Sequence, residues 1–311
     1  MAMASILDPT PPKTILCAIF PLPRGIPSPF TISAALGPMR EPSTNQRIAR
    51  LQEARTELER LYGSGQTSKS VIPYAELGEC GSASEVLACM DSYWGDLLSL
   101  VLSVEADPEA VRLEDSFAVE WPSPFSRVAV KVKLNSVASA DQVLGALYLE
   151  SCMLLVNRAV MLAETAREVL GPNCQGDVKA ASDKLRLGAG IFEYLLEKIE
   201  NDWSARLGDL VKLEDRPMES KPPLLKALRD VYLAHAQALA VAKAIQQGAQ
   251  ATVLCKLCLG AAVLLEAALE GLRVSATEPS GVEAGWVSAE ELASLTGHGA
   301  KTDKTATLVD F

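Results

Sequence analysis

Between Ser139 and Arg273 the chain repeats one kind of segment four times. Each segment is long, apolar and dotted with small residues: SADQVLGALYLESCMLLVNRAVMLAETAREVL, DVKAASDKLRLGAGIFEYLLEKIENDW, PLLKALRDVYLAHAQALAVAKAIQQGA and ATVLCKLCLGAAVLLEAALEGLR. Ala146, Ala163, Gly188, Ala234, Ala236, Gly260 and Ala261 recur inside them, and small side chains let helix axes approach closely. Helical hairpins stacked side by side use this pattern, as in tetratricopeptide-like solenoids. No clean repeat of the tetratricopeptide period runs through the chain, so an irregular solenoid is the expectation. Composition agrees: hydrophobic residues make up 49% of the chain and aromatics only 5%, a core of Ala, Leu and Val.

The ends of these segments carry helix signals. Ser139 is placed to cap the first, and Gly171 with Pro172 stops it. In the second, Ala181, Leu185, Ala189, Phe192 and Leu196 fall on one side at helical spacing. Gly248 ends or bends the third. Pro217 and Pro222 interrupt the charged connector KLEDRPMESKP, whose Glu214 and Asp215 read as solvated. Upstream, Ile48, Leu51, Ala54, Leu58 and Leu61 mark one face of an early helix that stops near Gly63. Glu57 flanks that face and Glu59 points to water. Ser82 or Ser84 caps a further helix whose apolar face includes Val86, Leu87, Trp94, Leu97 and Leu98. Only one stretch changes period. Phe117, Val119 and Trp121 alternate with other residues, as do Val128, Val130 and Val132, with Pro122 and Pro124 between, which reads as a β-hairpin. The expected fold is therefore mainly α, an irregular helical solenoid with a small β-hairpin. It occupies residues 44–274, between an extended Pro-, Ser- and Thr-rich arm at 1–43 and a weakly ordered tail at 275–311.

Charge and cysteine usage narrow the function. A net charge of −10 argues against free nucleic acid as the main partner, because that affinity rests on neutralising phosphates. Seven cysteines, an odd and sparse set with no signal-like start, fit a reducing, cytoplasmic compartment. Apolar runs such as VLGALYLESCMLLVNRAVMLA are broken by Glu150, Asn157 and Arg158 and read as buried helices rather than membrane spans.

Chemical motifs are sparse. GSGQTSKS lacks the spacing of a phosphate-binding loop. Cys255 and Cys258 have the CxxC spacing but no second close pair to complete a zinc site, and in an apolar helix they read as buried thiols. His235 has Val231, Tyr232, Ala238 and Leu239 as its helical neighbours, so it reads as a packing histidine. No catalytic residue, metal or cofactor is implied, and the chain reads as a non-enzyme.

Several of these segments together resemble the BRO1 domain of ALIX-like and Bro1-like endosomal proteins, in the stand-alone plant and algal form. FAVEW at 117–121 is similar to the aromatic hairpin strand of that domain. LYLESCMLLVNRAV and DVKAASDKLRLGAGIFEYLLEKI are similar to its long core helices. LAHAQ differs from the family's LAQAQ only at His235, and ATVLCKLCLGAAVLLEAAL resembles the helix that follows. The resemblance implies a scaffold that binds the C-terminal amphipathic helix of an ESCRT-III subunit in a hydrophobic groove, in endosomal sorting or membrane remodelling. It implies groove positions at Ala240, Val253, Lys256 and Leu257, where Ala240 replaces the family's usual phenylalanine. Periodicity alone leaves Val253 and Leu257 open between groove and core. The implied setting is cytoplasmic and endosome-associated, with peripheral rather than spanning contact with membranes. A second reading makes the chain a structural subunit of a larger assembly, with its two ends laid on neighbours.

Overall fold

The computed structural model describes residues 24–25, 42–61, 71–72, 82–108, 117–122, 129–135, 137–171, 176–211 and 216–277. Six long helices follow one another along the chain: α1 (Pro42–Leu61), α2 (Ala83–Ala106), α3 (Ala140–Leu170), α4 (Val178–Lys198), α6 (Pro222–Gln246) and α7 (Ala251–Thr277). A short α5 (Ser204–Leu210) follows α4 through a π-helical turn at Ile199–Trp203. Two minimal strands, β1 (Arg24–Gly25) and β2 (Val71–Ile72), pair antiparallel. The hairpin is β3 (Phe117–Pro122) with β4 (Ala129–Leu134), in a register that pairs Val119 with Val132 and Trp121 with Val130.

The long helices pack in chain order, α1 on α2, α2 on α3, α3 on α4, α4 on α6 and α6 on α7. This is a row of helices in which sequence neighbours are spatial neighbours, and α7 stands at its end. The local signals explain the boundaries. Ser82 and Ser139 each close a reciprocal capping box, with Glu85 and Gln142 respectively, which satisfies two otherwise orphaned amides at each start. Asp177 accepts from the amides of Lys179 and Ala180 to start α4. Gly171 and Gly248 have positive φ, 66° and 67°, where a side chain would be strained, and the chain turns there.

Helix α3 is the axis of the core. It is buried on nearly all sides, so its polar residues are tied down. Ser151, Asn157 and Thr165 each donate to the carbonyl four residues back, at 2.8 Å. Glu150 lies at the centre of a buried polar hub that joins four elements. It accepts from Arg55 of α1, from Tyr93 of α2 at 2.7 Å and from the indole N–H of Trp121 in β3. The Arg55 guanidinium also lies 5.0 Å from the Trp121 ring centre and 5.8 Å from that of Tyr93. Burial pushes the Tyr93 phenol up to about 12, so it stays a donor.

Small residues do what their pattern implied. Gly188 of α4 lies so close to Tyr232 of α6 that a methyl group there would meet the ring at 2.6 Å. This approach lets the Tyr232 hydroxyl reach the carbonyl of Ala159 in α3, at 3.0 Å, and holds three helices together. Phe192 packs edge-on against the same tyrosine, with ring centres 5.1 Å apart.

One sequence expectation is corrected here. Glu59 does not face water: its side chain is largely covered and pairs with Arg55 at 3.3 Å. Arg55 itself is fully buried, although it lies outside the apolar stripe that defined α1. The second half of the charged connector, Arg216 to Lys221, is also buried, with the Arg216 guanidinium donating to the carbonyls of Val211 and Ser204. Glu214, Asp215 and Val128 lie outside the described residues, as does most of the arm and tail.

Candidate functional site

The implied groove positions fall on the last helical hairpin. The α6–α7 turn passes through Gly248, and the two helices run antiparallel. Their register is set by two contacts. Gln237 of α6 donates to the carbonyl of Leu257 in α7 at 3.2 Å, and its amide lies 3.5 Å from where a Cβ on Gly260 would sit. Toward the other end, a Cβ on Gly271 would lie 2.9 Å from that of Ala227. Only the second contact needs glycine in α7: a Cβ at Gly271 would press on Ala227, whereas one at Gly260 would make ordinary contact with the Gln237 side chain. The first contact places Ala240 at the level of Leu257, one turn from the Gln237–Gly260 contact.

The four candidate residues thus share one end of one hairpin. Ala240 and Leu257 are half-buried at the seam between the helices. Val253 is 46% exposed and lies one turn before Leu257, at the edge of the same seam. Lys256 is exposed beside them. The arrangement is an apolar edge with a cation at its rim. It has the chemistry to take an apolar helix face that carries an acidic flank.

Burial divides α7 lengthwise. Leu254, Leu257, Ala261, Leu264, Ala268, Leu272 and Ser275 lie on the buried or half-buried side, at spacings of three and four that match a seam against α6. The other side is exposed and carries Leu259, Val263, Leu269 and Val274 as well as Lys256, Glu266, Glu270 and Arg273. This corrects the reading of Cys255 and Cys258 as buried thiols: both are exposed. The missed signal was present in the sequence. The four charges of α7 fall on one side of the helix, opposite Leu257, Leu264 and Ala268, which marks that side as wet.

His235 lies on α6 and is buried. Burial holds its imidazole down at about 4, well below the usual histidine range, so the ring is neutral. It belongs to the helix packing and does not join the candidate edge. Among the described residues, no three His, Cys, Asp or Glu side chains cluster as metal ligands would.

Comparison with known proteins follows the same lines. The model of the BRO1-like domain family matches residues 119–295, more than half of the chain. The chain belongs to the BRO1-like domain family, a class of helical protein-interaction domains. Among solved structures it is similar to the ALIX BRO1 CHMP4C complex, with a TM-score of 0.53 and 17% sequence identity, over 88% of this chain and 68% of that one. At that identity the likeness is one of fold. No curated protein matches the sequence.

Proposed function

We propose that this chain is a non-catalytic BRO1-type scaffold that binds an amphipathic helix along the edge formed by Ala240, Val253, Lys256 and Leu257. The observation that carries the reading is the exposure of Val253 and Lys256 beside half-buried Ala240 and Leu257, an uncovered apolar edge on the last hairpin. Family membership and the similarity to the ALIX BRO1 CHMP4C complex support a ligand of that kind, the C-terminal helix of an ESCRT-III subunit. The reading sets the protein on the cytoplasmic side of endosomal membranes, in sorting or remodelling.

A partner helix lying there would bury Val253 and Leu257 and bring its acidic flank to Lys256. Ala240 contributes only a methyl group, and aromatic anchors are common sources of binding energy at such interfaces. The affinity expected is therefore modest. Fluorescence anisotropy with a labelled ESCRT-III C-terminal helix tests this. Val253→Glu should weaken binding at least about tenfold, since it places a carboxylate at an apolar contact. Ala240→Phe should strengthen it. Val253 is exposed, so its variant keeps the fold, which circular dichroism checks. Equal affinity of Val253→Glu and the unaltered chain would overturn the site.

A further inference from the structure

The outer side of α7 is a second surface, which shares only Lys256 with the edge at Ala240, Val253 and Leu257 and does not depend on the function proposed for that edge. The most apolar part of α7 has a mean hydropathy of 1.9, above the 1.4 of α3, yet only 6% of that window is buried. On this side Leu259 is 66% exposed, Val263 56% and Val274 44%. Lys256, Leu259, Val263, Ala267, Glu270 and Val274 follow one another at spacings of three and four residues, so they form one stripe along the helix. All six are exposed. A stripe with this spacing is what one helix offers to another.

The order of charges along the stripe selects the occupant. The lysine stands near the start of the helix and the carboxylate toward its end, with Val263 midway: Lys256 lies seven residues before it and Glu270 seven after. Turned antiparallel about a two-fold axis at Val263, a second α7 sets Lys256 against Glu270 twice, Leu259 against Ala267 twice, and Val263 against itself. Each copy thus meets both the apolar residues and the opposite charge. A parallel copy would place lysine on lysine and glutamate on glutamate, which is unfavourable. A lipid surface fits less well, because interfacial helices carry a basic polar edge. Here Glu266 and Glu270 match the charge of Lys256 and Arg273, Arg273 already pairs with Glu270 at 3.1 Å, and the chain as a whole carries −10.

We propose that the protein self-associates through this stripe, as a two-fold antiparallel pairing of α7 with α7 of a second copy, centred on Val263. The interface is isologous, so it closes at two copies and buries the stripe of each in the other.

Sedimentation velocity of the full chain tests this. The expected mass is twice the 33.2 kDa of one chain. Val263→Arg puts two like charges at the axis and should return the protein to the single-chain mass, with a dimer affinity at least about 100-fold lower. Val263 is exposed, so the helix signal in circular dichroism should not change. Glu270→Lys should also weaken the dimer, and Lys256→Glu combined with Glu270→Lys should restore it, because the pair is complementary in either sense. In a background of Cys255→Ser and Cys258→Ser, Val263→Cys should form a cross-link between copies under mild oxidation. A single-chain mass at the highest soluble concentration would overturn the proposal. So would a dimer that Val263→Arg leaves intact. Flotation with phosphatidylcholine–phosphatidylserine vesicles that Val263→Arg abolishes, in a protein that does not dimerise, would assign the stripe to lipid instead.

Discussion

Helices α3 and α7 read almost alike as sequence and end in opposite places. Both are long and apolar enough to cross a membrane by length and composition, as is α2. In the folded chain 94% of the most apolar window of α3 is buried, against 6% of that of α7. The difference is position in the row. α3 has α2 on one side, α4 on the other and the hairpin and α5 against it, whereas α7 packs chiefly on α6. Apolar composition sets how much a helix gains from being covered, and the number of neighbours sets how much of that gain is realised. The exposed remainder on α7 is available for other molecules, which is why both proposed surfaces lie there.

The largest test of this contrast is at the hub under α3. Glu150→Ala removes the buried carboxylate that Arg55, Tyr93 and Trp121 share, and leaves a guanidinium in the core without it. It should cost about 3–5 kcal/mol in urea unfolding. If the loss were below 1 kcal/mol, the hub would not be what joins α1 and the hairpin to α3.

The contrast itself is read by truncating one leucine in each helix. Leu154→Ala in α3 should cost about 2–5 kcal/mol, because it opens a cavity in a site closed on all sides. Leu259→Ala in α7 should change the stability of the single chain by less than about 0.5 kcal/mol, since its side chain already faces water. Equal losses would mean that α7 is covered in solution. Chemical denaturation at low protein concentration separates this from any effect of self-association.

His235 makes the helix packing sensitive to acid. The folded chain holds the imidazole at about 4, against an ordinary value of 6.5. Between these values the unfolded chain takes up a proton that the folded chain does not, so stability falls as the pH is lowered from about 6.5 to about 4. The loss should reach roughly 2–3 kcal/mol at the lower end. His235→Gln, the residue that completes the LAQAQ pattern, should remove that part of the pH dependence in unfolding curves measured across this range.

A finer test comes from two glycines two residues apart. Gly188→Ala would drive a methyl group into the Tyr232 ring and should cost about 1–3 kcal/mol. Gly190 has nothing within 4 Å of where a Cβ would be, so Gly190→Ala should stabilise α4 by about 0.5–1 kcal/mol. Thermal unfolding of the pair shows whether the close approach of α4 and α6 is real, because only then do the two substitutions have opposite signs.

Much of the architecture was legible in the chain. Helix starts at Ser139 and stops at Gly171 and Gly248 are local events, set by side chains that bond to the nearest amides and by backbone angles that only glycine adopts easily. The hairpin was legible because period-two alternation at Val119, Trp121, Val130 and Val132 is also local. The small residue Gly188 announced a close helix contact, although not which helices would meet. The hub was not legible. Arg55 and Glu150 are 95 positions apart, and a charge inside an apolar helix looks the same whether it interrupts a membrane run or closes a buried ion pair. Cys255 and Cys258 misled for a related reason: an apolar helix suggests burial, but burial requires neighbours on every side.

The sequence by itself determined the long helices, the cap at Ser139, the stops at Gly171 and Gly248 and the order of the elements, because these depend on bonds and spacings within a few turns. Its motifs also placed it correctly in the BRO1-like family. Only the tertiary structure decided which apolar face would be covered. That choice depends on how many neighbours each helix acquires, and α7, last in the row of described helices, packs chiefly on one. Its outer stripe is left to face water, where the inner stripe of the same helix packs against α6.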